Sequence, residues 1–127
     1  MTSIKKELSN GEKIRRQVMG DKFVDRALNN TDEFTQPLQD YINNHSWGST
    51  WQRTGLDLKT RSLITIAMLA ALKAPQELKG HIRGALTNGA TKEEIQEVLL
   101  HSAVYCGAPA AQEAFRAAME VLDNNVD

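Results

Sequence analysis

Residues 58–73, LKTRSLITIAMLAALK, decide the fold. Wound at 3.6 residues per turn they are apolar on nearly every side, and no period-two alternation runs through them. They read as a central buried helix with Arg61 near its start. The apolar run inside it, LITIAMLAAL (63–72), is too short to cross a bilayer, which takes roughly 20 residues. On the C-terminal side, PQELKGHIRGALTNG (75–89) opens on Pro75 and closes on Asn88 and Gly89, the Pro-first, Gly-last asymmetry of a helix. Its core stripe is Leu78, Ile82, Ala85 and Leu86. Glu77 and His81, one turn apart, sit beside that stripe at the border between core and surface.

The helix after it announces itself through TKEE (91–94), a capping box of Thr91 with Glu94. It is expected to bury Ile95, Val98, Leu99, Ser102 and Cys106 and to stop at Gly107. APAAQEAFRAAMEVL (108–122) then starts on Pro109 and offers Phe115, Ala118 and Leu122 to the core, before a polar tail, DNNVD, expected to fray. On the N-terminal side, EKIRRQVMG (12–20) reads as a helix ending at Gly20, and DKFVDRALNN (21–30) as a short helix capped by Asp21. In TDEFTQPLQDYINNHSW (31–47), Phe34, Leu38, Tyr41 and Ile42 recur at helical spacing, so Pro37 must lie in a first turn or kink the helix. SWGSTWQRTGLD (46–57) reads as a loop whose Trp47 and Trp51 are too large to leave fully exposed without purpose. One all-α domain over 1–127 results, with an N-terminal helical arm over about 1–30 and a core over about 57–123.

Composition narrows the function. A chain of 127 residues that is 41% hydrophobic suffices for one core, and a formal charge of −1 leaves no electrostatic footprint for nucleic acid or an anionic membrane surface. MTSIKKELSN has no apolar run behind its lysines, so neither a signal peptide nor a transit sequence is read there, and a cytoplasmic location is expected. One cysteine, Cys106, excludes an intramolecular disulfide and a multi-cysteine metal site. The three histidines, His45, His81 and His101, lack HxH or HExxH spacing, so no metal is expected.

Several residues carry two readings. A Glu four residues before a His is most often a solvated pair, worth a few tenths of a kcal/mol. Beside an apolar stripe the same pair has a second use, because a half-buried carboxyl or imidazole is easily tuned toward neutrality to give up a proton. Gly80 and Gly84 bare the backbone near it, for close helix packing or for a ligand. Cys106, in register with its stripe and near a helix C-terminus that disfavours a thiolate, reads as a buried structural thiol. His101 shares a flank with Glu94, Glu97 and Tyr105 and reads as a solvated or interface histidine. Arg61 and Arg83 are ordinary salt-bridge partners or, for an anionic substrate, the guanidinium that holds a carboxylate.

The segment from TGLDLKTRSL through ELKGHIR to AVYCGAPAAQEAF, together with WGSTW and the N-terminal RRQVMGDKFVDRALNN, resembles the carboxymuconolactone decarboxylase family, in particular its branch serving protocatechuate breakdown. The wider superfamily includes alkylhydroperoxidase-like proteins with Cys-x-x-Cys and a His four residues after the second Cys. Setting His81 on that histidine puts the cysteine positions at Ala74 and Glu77, so the dithiol needed for peroxide reduction by exchange is missing. The resemblance implies an alkylhydroperoxidase-like helical fold, a homohexamer built as a trimer of dimers, and no cofactor or metal. It implies decarboxylation of a dicarboxylate lactone, with His81 and Glu77 catalytic. Arg61, Arg83, Trp47, Trp51, His101 and Cys106 would contact substrate, the tryptophans by excluding water. The competing expectations are a thiol-dependent peroxide reductase, against which the single cysteine argues, and a non-catalytic oligomeric binding protein of the same fold.

Overall fold

The computed structural model describes the backbone from Thr2 to Asn124 and side chains from Asn10 to Asp123. Every regular element among the described residues is helical. The chain divides into two compact units, Met1–Leu56 and Asp57–Asp127.

The second unit holds four α-helices: α4 (Leu58–Ala71), α5 (Pro75–Thr87), α6 (Lys92–Cys106) and α7 (Ala108–Asn124). Their limits follow local chemistry. The Asp57 carboxylate accepts from the Thr60 amide at 2.7 Å and starts α4. Pro75 lies in the first turn of α5, Asn88 caps its end, and Gly89 supplies the left-handed φ of 96° that turns the chain. Thr91 and Glu94 close the expected capping box, each side chain accepting from the other's amide, at 3.0 and 2.9 Å. Gly107, with φ 92°, separates α6 from α7. α7 runs on to Asn124, past Leu122. The rest of the tail expected to fray, residues 125–127, lies outside the described residues.

α4 packs on α5, α6 and α7, and both α5 and α6 pack on α7. Between them lies an apolar interior of Ile66, Leu78, Ile82, Ala85, Ile95 and Leu99 from α4, α5 and α6, closed by Ala114, Ala117, Ala118 and Val121 of α7. Phe115, Leu122 and Val98 pack against it. Its two buried hydroxyls are satisfied: Ser62 accepts from Asn88 Nδ2 at 2.9 Å, and Ser102 donates to the Leu99 carbonyl at 2.6 Å. Lys59 pairs with Glu94 at 2.9 Å and Lys79 with Glu120 at 3.1 Å, tying α4 to α6 and α5 to α7.

Two expectations fail in this unit. α4 is not buried all round: Ser62, Ile66 and Ala70 face the interior, whereas Ile64, Met68 and Leu72 are exposed, because its three neighbours cover one side of the cylinder. Nor is Cys106 buried. It is the last residue of α6, and the chain turns away at Gly107 before another turn can cover it.

The first unit is built from α1 (Thr2–Met19), α2 (Asp21–Asn29), α3 (Gln36–Tyr41), a π-helical turn (Ile42–Trp47) and a 3₁₀ turn (Thr50–Gln52). α1 starts ten residues before the segment read as helical from its pattern. Asp21 is not the cap of α2. Gly20 occupies that position with φ 89°, and Asp21 sits one residue inside, paired with Arg16 at 3.0 Å. Pro37 falls in the first turn of α3 as expected, where its missing N–H costs no hydrogen bond. Phe34, Leu38 and Tyr41 remain exposed. The segment expected to be a loop is largely helical. Trp47 closes the π turn and Trp51 lies in the 3₁₀ turn, both buried, with rings stacked at 4.5 Å between centroids. Gln52 Nε2 donates to the carbonyls of Trp47 and Gly48, each at 3.2 Å, and locks the two turns together.

Candidate functional site

The residues singled out from the sequence fall into separate groups. Glu77, His81 and Arg83 share α5. Glu77 stands exposed in its first turn, His81 one turn later is half-buried, and Arg83 is half-buried as well. The i,i+4 spacing brings the Glu77 and His81 side chains to neighbouring places on one face, with Cβ atoms about 6 Å apart. Gly80 and Gly84 are both buried, so the bare backbone beside the pair is covered by packing. Arg61, on the second turn of α4, is half-buried within the same unit.

His101 and Cys106 are brought together elsewhere. Both line a groove of about 760 Å³ between α4 and α6, whose walls are mainly apolar, Ile64, Leu100 and Val104 among them, with Thr60 and Glu97 also lining it. His101 and Tyr105 lie with ring centroids 5.4 Å apart, and both are exposed. Trp47 and Trp51 belong to the first unit, where each covers the other's ring. Among the described residues no group of His, Cys, Asp and Glu is arranged to hold a metal ion, and no helix is long and apolar enough to cross a membrane.

One cluster escaped the sequence reading. Arg15 is buried on α1, 5% exposed, and its Nη1 donates to Gln39 Oε1 and Asn43 Oδ1, both at 3.0 Å. Burial pushes its pKa down from the usual guanidinium value, with Glu12 opposing that shift. Its neighbour Arg16 is held in the opposite sense, pulled up by Asp21, Asp25 and Glu12. The signal was present in the sequence: Gly11, Ile14, Arg15, Val18 and Met19 mark one helix face by the i, i+3, i+4, i+7 rule, and an arginine stands inside that stripe. An arginine on an apolar face asks for a partner, and none is specified nearby in sequence.

One face of α5 offers an imidazole and a carboxyl one turn apart, suited to moving a proton, while the Arg83 guanidinium, two residues after His81, lies on the other side of the helix. Comparison with known proteins bears on that chemistry. The model of the carboxymuconolactone decarboxylase family matches residues 36–120. The chain is 45% identical over 117 residues, 92% of its length and 82% of the relative's, to nitrosuccinic acid decarboxylase npaB of Metarhizium robertsii. It is 44% identical over 112 residues, 88% of its length and 84% of the relative's, to the 4-carboxymuconolactone decarboxylase of Acinetobacter baylyi. A 15.0 kDa uncharacterized protein of Paracoccus denitrificans is 44% identical over 78 residues, 59% of this chain and 58% of that one.

Proposed function

The chain belongs to the carboxymuconolactone decarboxylase family, and from that premise we propose that it is a cofactor-independent decarboxylase of 4-carboxymuconolactone, giving the β-ketoadipate enol-lactone in the cytoplasmic breakdown of aromatic compounds. What carries the reading is the identity of 44–45% to two proteins named as decarboxylases, extending over most of each chain.

The two named substrates share a demand. Both are dicarboxylates in which the departing carboxylate sits where the remaining electron pair can spread onto oxygen: through the ring alkene onto a lactone carbonyl in one, onto a nitro group in the other. The C–C bond to the carboxylate breaks, CO₂ leaves, the pair delocalises onto that oxygen, and one proton returns to carbon. The substrate is its own electron sink, so the protein has only to bind, stabilise and protonate. In this reading Arg61 or Arg83 holds the spectator carboxylate by a bidentate contact. His81 gives the proton, and Glu77 orients the imidazole or carries the transferable proton itself. The exposed apolar side chains of α4 and α6 support assembly into a homo-oligomer, read as a homohexamer, because a monomer leaves Met68, Leu72 and Val104 in water.

A second reading, decarboxylation of a nitrosuccinate-like acid, is favoured by the equal identity to npaB. Parallel kinetics with 4-carboxymuconolactone and nitrosuccinate, followed by CO₂ release, test both. The lactone is expected to give the larger kcat/KM. The reverse order replaces it with the nitro acid, and inertness toward both sinks the decarboxylase reading.

A further inference from the structure

Arg15 is a charge in the wrong place for a stripe that otherwise faces the interior of its unit. Its position follows from two glycines. A Cβ at Gly11 would collide with the Asn43 carbonyl oxygen and stand 2.9 Å from the Gly48 amide nitrogen, so the backbones of α1 and the π turn meet with nothing between them. One helical turn after Gly11, Arg15 is delivered against that same turn.

Its hydrogen bonds there go to neutral amide oxygens, Gln39 Oε1 and Asn43 Oδ1. These satisfy geometry without supplying countercharge, and a buried charge is normally paired. Carboxylates are nearby, but they are taken. Glu12 accepts from Arg16 Nε at 3.0 Å, and Asp21 and Asp25 accept from its Nη1 and Nη2 at 3.0 and 2.9 Å. Three acids thus converge on the half-buried Arg16 and none hydrogen-bonds the buried Arg15. Among the described residues, the Nε and Nη2 edge of Arg15 has no acceptor. That edge is the one a carboxylate grips with two parallel bonds. The turn that carries Asn43 is π-helical, a form that recurs at functional sites.

We propose that Arg15 and the turn Ile42–Trp47 form a binding site for the carboxylate group of a small organic acid. The acid has two possible sources, the substrate of the reaction proposed above or a separate carboxylate ligand. Only the first rests on the decarboxylase reading.

Succinate serves as the probe. Calorimetric titration of the full chain is expected to show binding that Arg15→Met weakens at least about tenfold, the scale of losing a charged hydrogen-bonded partner. The unliganded variant is expected to lose some Tm, because Gln39 Oε1 and Asn43 Oδ1 are left without their donor, so binding is compared on protein whose circular dichroism matches the parent's. Kinetics separate the sources. A tenfold rise in KM for the turned-over acid with kcat unchanged assigns the site to substrate, whereas unchanged kinetics with succinate binding lost assigns it to a separate ligand. A folded Arg15→Met that binds succinate as tightly as the parent, or a parent that does not bind millimolar succinate at all, overturns the site. If the variant does not fold, a crystal of the parent grown with succinate decides. A carboxylate about 3 Å from Nε and Nη2 of Arg15 sustains the proposal, and a crystal without one there refutes it.

Discussion

The two units solve the problem of burying a helix face in opposite ways. In Asp57–Asp127 the fully buried side chains among the described residues are apolar apart from two hydroxyls, both satisfied within the unit, and no ionisable residue is fully buried. In Met1–Leu56 a guanidinium and an asparagine are buried, held by a π turn and by glycines that let two backbones touch. The first kind of interior tolerates change at its polar edge. The second is organised around its polar groups, so altering them should disturb structure and binding together.

The largest expected effect exploits the tolerant edge. His81→Ala and Glu77→Gln should each lower kcat for CO₂ release by at least about 100-fold, the scale of lost general acid catalysis, with the melting curve and the oligomer size by light scattering unchanged. Near-native turnover in either variant removes that residue from the mechanism. Ile82→Ala, one residue along the same helix but 0% exposed, should do the reverse: a loss of about 2–5 kcal/mol in denaturant titration from the cavity it leaves. If both positions behaved alike, α5 would not have the division between chemical and structural faces described above.

In the first unit, Gly11→Ala forces a methyl against the Asn43 carbonyl and should cost about 1–3 kcal/mol, read as faster amide exchange through residues 42–47. Unchanged exchange there would mean that the close approach of α1 does not hold the π turn. Acidification should act more mildly. Asp32, Asp57 and Glu94 have pKa values lowered in the fold, chiefly by backbone amides of Thr35, Thr60 and Thr91. A depressed carboxylate pKa stabilises above the unfolded value and loses that contribution as pH falls through the folded one. Tm should therefore decline below about pH 4, and Asp57→Asn should flatten the decline. The smallest effect is at Cys106→Ser, where activity and Tm should stay near those of the parent; full loss of turnover by a folded variant would make the thiol part of the reaction.

The same contrast explains what could be read in advance. The limits of α5 and α6 were legible because their signals are local: Pro75, Asn88 with Gly89, and the Thr91–Glu94 box each act within one turn. The π turn was not, because it is formed against Gly11, about thirty residues earlier in the chain. Apolar periodicity marked α4 as buried without saying what covers it, and its Ile64 and Met68 are left exposed. Of the candidate site, Glu77 and His81 were visible as neighbours on one helical face, whereas Arg15 was not singled out although it stands in an apolar stripe. Two arginines adjacent in sequence look alike there, and only the tertiary fold separates the buried guanidinium of Arg15 from that of Arg16, which its acids surround.

The most direct test of the central claim is a reaction of the purified, chelator-treated chain with 4-carboxymuconolactone in D₂O, measuring CO₂ released and deuterium in the product. The account predicts one CO₂ per lactone consumed and one deuterium gained on carbon, with CO₂ release and deuterium incorporation both at least about 100-fold slower for His81→Ala. A folded protein that leaves the lactone intact, or consumes it without releasing CO₂, would contradict it.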